Sequence, residues 1–174
     1  MYTDWLLKMK ENEAQTTLEE RVVELLAEHK MTVTTAESCT GGLIAATLVN
    51  VPGASDVLNE GYITYSNEAK IRLVNVSPET LERYGAVSSQ TAKEMANGAA
   101  KAAKAEAALS ATGIAGPGGG TEEKPVGLVY IGCSVNGKTT AKRCVFDGNR
   151  MENRQHTVET AFEMLVEALE NLEK

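Results

Sequence analysis

Ser38 stands inside Thr34-Thr35-Ala36-Glu37-Ser38-Cys39-Thr40-Gly41-Gly42-Leu43, where a β-branched stretch breaks and small residues open a segment with helical spacing. The spacing predicts a helix that begins at Ser38, which sets one hydroxyl at the mouth of a cluster of unpaired backbone N–H groups. Such donors, with the positive end of the helix dipole, stabilise a developing oxyanion, so Ser38 is a candidate nucleophile for acyl chemistry. Serine is equally a favoured N-cap, and a cap requires no chemistry. Cys39 is a second candidate nucleophile, because the same dipole would lower a thiol pKa.

A serine nucleophile needs a base. The only histidines are His29, at the end of a predicted helix, and His156, deep in the last one, and neither comes with an evident orienting carboxylate. A serine hydrolase built on this sequence would therefore use a lysine or tyrosine, and Lys70, Tyr65 and Tyr62 are available. Lys70 falls in the first turn of a helix capped by Ser66, where the N–H groups oppose a cation and ease its deprotonation. The alternative is a solvated surface lysine beside Glu68.

Gly113-Ile114-Ala115-Gly116-Pro117-Gly118-Gly119-Gly120 is a loop that neither helix nor strand would tolerate. It ends Gly120-Thr121-Glu122-Glu123, so it lacks the Gly-Lys-Ser/Thr of a Walker loop, and Thr121 stands where a dinucleotide fold puts its third glycine. What remains is either a nest of bare N–H groups able to hold an anion or a long turn between strands. Arg150 and Arg154 lie in the first two turns of the last helix, against the dipole. Each is explained by an external or tertiary anion, or, for Arg150, by pairing with Asp147 or Glu152.

These groups must be carried by a chain of 174 residues, enough for one core, so a single domain over 17–174 is expected, with residues 1–16 as an N-terminal arm or linker remnant. Lys and Arg number 17 against 24 Asp and Glu, a formal charge of −7 without basic clusters, which argues against nucleic-acid binding. No apolar stretch is long enough to span a membrane and no secretion signal opens the chain, so a cytoplasmic protein is expected. Cys39, Cys133 and Cys144 share no ligand spacing, and no metal site or cofactor is expected.

Thr17-Leu18-Glu19-Glu20 reads as a capping box for a helix ending near His29. Met31–Ala36 reads as a strand, and the helix from Ser38 would bury Leu43, Ile44, Thr47 and Leu48. A second strand spans Val57–Tyr65, followed by the Ser66 helix and a short one opened by Ser77-Pro78. A longer helix from Ser88 or Ser89 to Lys104 has a small inner stripe, Ala92, Met95, Ala96, Ala99 and Ala103, that suits close packing on a sheet. Glu106–Thr112 is strand-like. Asn136-Gly137 joins Gly127–Val135 and Lys138–Phe146 as a hairpin. Asn149 and Glu152 frame a final helix with the apolar line Val158, Ala161, Phe162, Leu165, Leu169 and Leu172. Helix and strand alternate first and a hairpin comes last, which predicts an α/β fold with a mixed sheet covered on both faces.

Thr35-Ala36-Glu37-Ser38-Cys39-Thr40-Gly41-Gly42, Tyr65-Ser66-Asn67-Glu68-Ala69-Lys70 and Thr112-Gly113-Ile114-Ala115-Gly116-Pro117 through Glu122-Glu123-Lys124-Pro125-Val126-Gly127 together resemble the CinA C-terminal domain family, the nicotinamide-nucleotide amidohydrolases. The resemblance runs from about Leu18 to the last helix. It implies a three-layer α/β/α sandwich and metal-independent deamidation of nicotinamide mononucleotide to nicotinic acid mononucleotide and ammonia. It further implies Ser38 as nucleophile, Lys70 as base and Tyr65 as a further catalytic residue, with Thr112 also at the site. N–H groups near Cys39 to Gly41 would then hold the oxyanion. Cys39, Thr40, Gly41, Gly42, Thr112, Gly113, Gly116 and Arg150 are the expected substrate-binding residues. The large N-terminal domain of full-length CinA proteins is absent from this sequence, and Gly148-Asn149-Arg150 replaces the frequent Gly-Asp-Arg; asparagine caps a helix about as well as aspartate. The alternative function is a non-catalytic nucleotide-binding or regulatory module that keeps the pocket. Trp5 and the N-terminal arm would support self-association, and a homo-oligomer is expected.

Overall fold

The computed structural model describes residues 16–173. The expected arm and its Trp5-Leu6-Leu7 knot lie outside the described residues. Helix α1 (Leu18–His29) opens on the capping box, in which Thr17 and Glu20 bond each other's backbone N–H, and it closes at Lys30 with a φ of 55°. Strand β1 (Val33–Glu37) is buried at every position. Then come α2 (Leu43–Val49), β2 (Tyr62–Ile63), α3 (Asn67–Val74), α4 (Pro78–Tyr84) and α5 (Ser89–Ala103). The chain finishes with β3 (Ala107–Gly113), β4 (Leu128–Val135), β5 (Lys138–Val145) and α6 (Arg150–Glu170).

The five strands form one sheet in the order β2-β1-β3-β4-β5, with β1 parallel to β2 and β3, and with β3, β4 and β5 antiparallel in succession. Asn136 and Gly137 turn the hairpin with φ of 49° and 80°, the paired positive values that a two-residue I′ turn requires. Alternation along the strands divides the core between two faces. Leu109 and Ala111 of β3 with Val129, Ile131 and Cys133 of β4 pack under α1, α2 and α6, around Leu26, Ile44, Phe162 and Leu165. Ala36 and Ala108 face the other way, toward Val74 of α3 and Met95, Ala96 and Ala99 of α5. The result is the expected three-layer α/β/α sandwich with a mixed sheet.

The small stripe of α5 packs as closely as its sequence suggests. Ser110 Oγ donates to the Ala92 carbonyl at 2.6 Å, and a Cβ on Gly132 of β4 would meet that same carbonyl. On the outer side of α5, a Cβ on Gly98 would overlap the Val74 carbonyl at the end of α3. Helix α3 is thereby pressed onto α5.

Three local expectations are corrected. Helix α2 begins at Leu43, with Gly42 at its N-cap at φ 102°, so Ser38 does not cap it. Glu37 displaces the serine from that role: its buried carboxylate accepts the N–H groups of Ile44 at 2.8 Å and Ala45 at 3.1 Å, and residues 38–42 become a separate turn. The second strand shrinks to Tyr62–Ile63 plus an isolated bridge between Leu58 and Val33, because Asn59-Glu60-Gly61 is poor in strand formers and the Glu60 carbonyl accepts the Thr34 hydroxyl instead. Leu172 falls past the end of α6 in a 3₁₀ turn and is exposed.

Candidate active site

The C-terminal ends of β1 and β3, which are parallel neighbours, deliver Ser38 and Thr112 to the same edge of the sheet. Ser38 N–H donates to the Ala111 carbonyl, extending the ladder one residue and fixing where the serine stands. Beside it, Ser66 caps α3 by accepting the Ala69 N–H at 3.1 Å. That start sets Lys70 as the fourth residue of α3, on the inward face of the first turn.

Lys70 is 1% exposed, and its ammonium donates to three oxygens: Ser38 Oγ at 3.1 Å, the Thr64 carbonyl at 2.8 Å and the Tyr65 carbonyl at 3.3 Å. Two fixed carbonyls aim the nitrogen, and the third partner is the candidate nucleophile. Burial holds the Lys70 pKa below the ordinary lysine value, against an opposing pull from Cys39 and Glu68. A neutral amine has a lone pair where the ammonium had its third proton, and Ser38 Oγ is the neighbour able to supply one.

Cys39 behaves otherwise than its position suggests. Its side chain is buried, and desolvation pushes the thiol up to about 12, outweighing what its own N–H, Arg154 and Lys70 lower. It stays a protonated thiol at neutral pH, so its reactivity is opposite to what a helix dipole would give.

The backbone of the 38–42 turn is held at its carbonyls. Ser38 O accepts the Gly41 N–H at 3.1 Å, Cys39 O accepts Arg154 Nε at 3.2 Å and Thr40 O accepts Arg154 Nη2 at 2.8 Å. A peptide's C=O and N–H point in opposite directions, so these anchors turn the Cys39 and Thr40 N–H groups away from Gly41 and Arg154. Among the described residues the Thr40 N–H has no hydrogen-bond acceptor and the Cys39 N–H meets only its own sulfur, whereas the Gly41 N–H is spent on Ser38 O. Of the expected oxyanion donors, Gly41 is therefore already engaged within the turn.

A cavity of about 300 Å³ opens over Ser38, at the small end of the range for small-ligand sites of about 300–1,000 Å³. Ser38, Cys39, Tyr65, Lys70, Thr112, Gly113, Gly116 and Arg150 line it together. Thr40, Gly41 and Gly42 are not among its lining residues; positions 41 and 42 face Arg154 and Ile63. Thr112 is buried with its hydroxyl on the Ala86 carbonyl at 2.8 Å, leaving oxygen lone pairs as its contribution to a ligand. Tyr65 has a twofold part: its carbonyl orients Lys70 while its exposed ring and hydroxyl form a wall near Arg150 Nη2 at 3.4 Å.

The glycine loop is fastened to the start of α6. Arg150 Nη1 donates to Gly116 O at 2.8 Å and the buried Asn153 Nδ2 to Ala115 O at 3.0 Å. Arg150 therefore pairs with neither Asp147 nor Glu152. Gly113 and Gly120 are required by close backbone approach, since a Cβ on either would press on residues 125–129. Gly118 and Gly119 line the cavity, and their N–H groups have no protein acceptor among the described residues. A larger groove of about 530 Å³ between β5 and α6 mixes Lys138, Lys142, Glu163 and Glu167 and contains no paired nucleophile and base.

Asn67, Ala86 and Val87 also line the cavity. Asn67 sits in the Tyr65–Lys70 motif, so its signal was present; Ala86 and Val87 come from the α4–α5 connection, and no spacing in the sequence marks them.

The profile of the CinA C-terminal domain matches residues 15–169. The chain belongs to the CinA C-terminal domain family. It is 53% identical over 161 residues to a putative competence-damage inducible protein of Clostridium perfringens (strain SM101 / Type A), covering 92% of this chain and 39% of that relative. A putative competence-damage inducible protein of Alkaliphilus metalliredigens (strain QYMF) is 55% identical over 153 residues, covering 88% of this chain and 37% of its own length. The chain thus spans about two-fifths of the curated relatives it matches. The crystal structure of competence/damage inducible protein CihA from Agrobacterium tumefaciens superposes with a TM-score of 0.84 at 46% identity, covering 88% of this chain and 93% of that one. A CinA superfamily protein from Klebsiella pneumoniae 700603 gives a TM-score of 0.85 at 34% identity, covering 88% of this chain and 96% of that chain. Among CinA-family folds, then, this chain is the C-terminal unit.

Proposed function

We propose that this CinA C-terminal domain is an amidohydrolase that deamidates nicotinamide mononucleotide to nicotinic acid mononucleotide and ammonia through a serine–lysine pair. The observation that carries the reading is the buried Lys70 amine 3.1 Å from Ser38 Oγ, with its pKa lowered by burial. Neutral Lys70 takes the Ser38 proton as Oγ attacks the carboxamide carbon. The Cys39 and Thr40 N–H groups receive the negative charge that develops on the carboxamide oxygen. The protonated amine then gives its proton to the departing nitrogen, ammonia leaves, and water attacks the acyl ester with Lys70 again as base. The Gly118–Gly119 backbone and Arg150, which also line the cavity, are suited to the phosphate, because bare N–H groups and a guanidinium are both anion donors.

The test is ammonia release across a panel: nicotinamide mononucleotide, nicotinamide riboside, free nicotinamide and glutamine. The proposal expects turnover of the mononucleotide, a large loss on removing its phosphate, and none with glutamine. Calorimetric binding of the mononucleotide without any turnover would replace the proposal with a non-catalytic binding module.

A further inference from the structure

Arg154 lies outside the cavity lining, yet among the described residues it is the one side chain that hydrogen-bonds the backbone of the turn carrying the candidate nucleophile. It has no carboxylate partner among the described residues; apart from a 4.0 Å contact with Met151 Sδ, its guanidinium spends its donors on the carbonyls of Cys39 and Thr40. Nε and Nη2 form one edge of the guanidinium, and that edge spans two successive carbonyls from 114 residues away in sequence. Gly41, next in the turn, has a φ of 59° and packs against the guanidinium, since a Cβ there would meet Nη2 at an ordinary contact distance of 3.9 Å.

The consequence follows from the peptide plane. The carbonyl of Cys39 shares its plane with the N–H of Thr40, so a cation fixed on that oxygen fixes the opposite direction of that N–H. The cation also draws electron density toward the oxygen, which makes the N–H a stronger donor. Cys39's own N–H is oriented in the same manner by the Gly41 bond to Ser38 O. We infer that Arg154 is a positioning residue for the hydrolysis, acting through the backbone to orient and polarise the Thr40 N–H that receives the oxyanion. It rests on the reading of Ser38 as an acylated nucleophile. An oxyanion donor acts on the transition state more than on bound substrate, so the residue's signature is in kcat, not KM.

The experiment compares wild type with R154K and R154Q. Lysine keeps the charge but offers a point donor in place of the two-pronged edge, and glutamine removes the charge. Three quantities are read: kcat and KM for ammonia release from nicotinamide mononucleotide, the pH of the acid limb, and the rate at which a fluorophosphonate labels Ser38. The phosphonate probe forms an oxyanion at phosphorus whatever the natural substrate is. The inference expects kcat and labelling rate to fall about tenfold to a hundredfold in R154K and further in R154Q, from the usual worth of a misplaced or lost oxyanion donor. KM stays within about threefold and the acid limb stays in place, since Arg154 does not touch Lys70. Unchanged kcat and labelling in both variants would overturn the inference, as would a raised KM at intact kcat or a displaced limb. If the wild type is labelled at Ser38 while the variants label equally fast, only Arg154's part fails. A wild type that neither labels nor turns over overturns the serine-nucleophile reading, and the role of Arg154 with it.

Discussion

Lys70 titrates where burial, not exposure, sets its charge, and that has two measurable results. In the proposed mechanism its neutral form is the base, so kcat/KM should rise with pH along an acid limb whose midpoint lies below the ordinary lysine value. A limb at the free-lysine position would mean that the amine is solvated in the working enzyme. The second result is thermodynamic. Between the depressed folded pKa and the higher unfolded one, the unfolded chain binds more protons, so stability gained from this group increases as pH rises through that window. Lys70→Met removes the buried cation. The unfolding free energy of Lys70→Met minus that of wild type should therefore shrink as pH is raised from neutral toward the ordinary lysine pKa, measured by urea titration. A difference that widens with pH contradicts the direction of the shift.

At the scale of elements, the site depends on where helices start and how tightly they press. Gly98→Ala drives a methyl into the Val74 carbonyl and lifts α3 off α5, four residues beyond Lys70. The expected cost is about 1–3 kcal/mol in chemical denaturation, the usual range for overpacking, with ammonia release lowered in the same variant. Glu37→Ala strips the buried N–H groups of Ile44 and Ala45 of their acceptor and should cost about 1–3 kcal/mol by the same measurement. Gly98→Ala melting like wild type would show that α3 rides free of α5.

Much of this was legible beforehand. Thr17, Ser66 and Asn149 cap as read, Ser88 is the cap of the long helix, and Asn136-Gly137 turns the hairpin, because each signal is local and mechanical. The serine's own helix starts later than its sequence suggests because a carboxylate, not a hydroxyl, caps it. Hydroxyl residues near the apolar run are the usual caps, but Glu37 reaches past the turn to Ile44 and Ala45 and takes that role. The Cys39 thiol departs from its expected reactivity because a dipole acts only at a helix start, whereas desolvation depends on the whole core around it. The two arginines of α6 were visible as cations against the dipole. Their partners, the carbonyls of Gly116, Cys39 and Thr40, are far away in sequence, and only tertiary structure brings them within reach.

On the scale of the molecule, the site is assembled from distant parts of the chain. Ser38 comes from the turn directly after β1, Lys70 from α3, Thr112 and the glycine loop from the end of β3, and the clamping residues Arg150, Asn153 and Arg154 from α6. They converge because β1 and β3 are parallel neighbours and both end at that edge, where the sheet leaves a crevice for a ligand. Among the described residues no helix is long and apolar enough to cross a membrane. A serine–lysine hydrolysis carries its proton on an amine, so adding a chelator such as EDTA should leave ammonia release at its original rate; a loss restored by a divalent cation would point to different chemistry.

The central claim is that Ser38 attacks and Lys70 activates it. The most direct measurement is ammonia release from nicotinamide mononucleotide by folded wild type, Ser38→Ala, Cys39→Ala and Lys70→Ala, side by side. Ser38→Ala should be without measurable turnover and Lys70→Ala about a hundredfold or more slower, as loss of a general base entails. Cys39→Ala, whose thiol stays protonated in the wild type, should retain turnover. Full activity in Ser38→Ala, or inactivity confined to Cys39→Ala, would contradict the account.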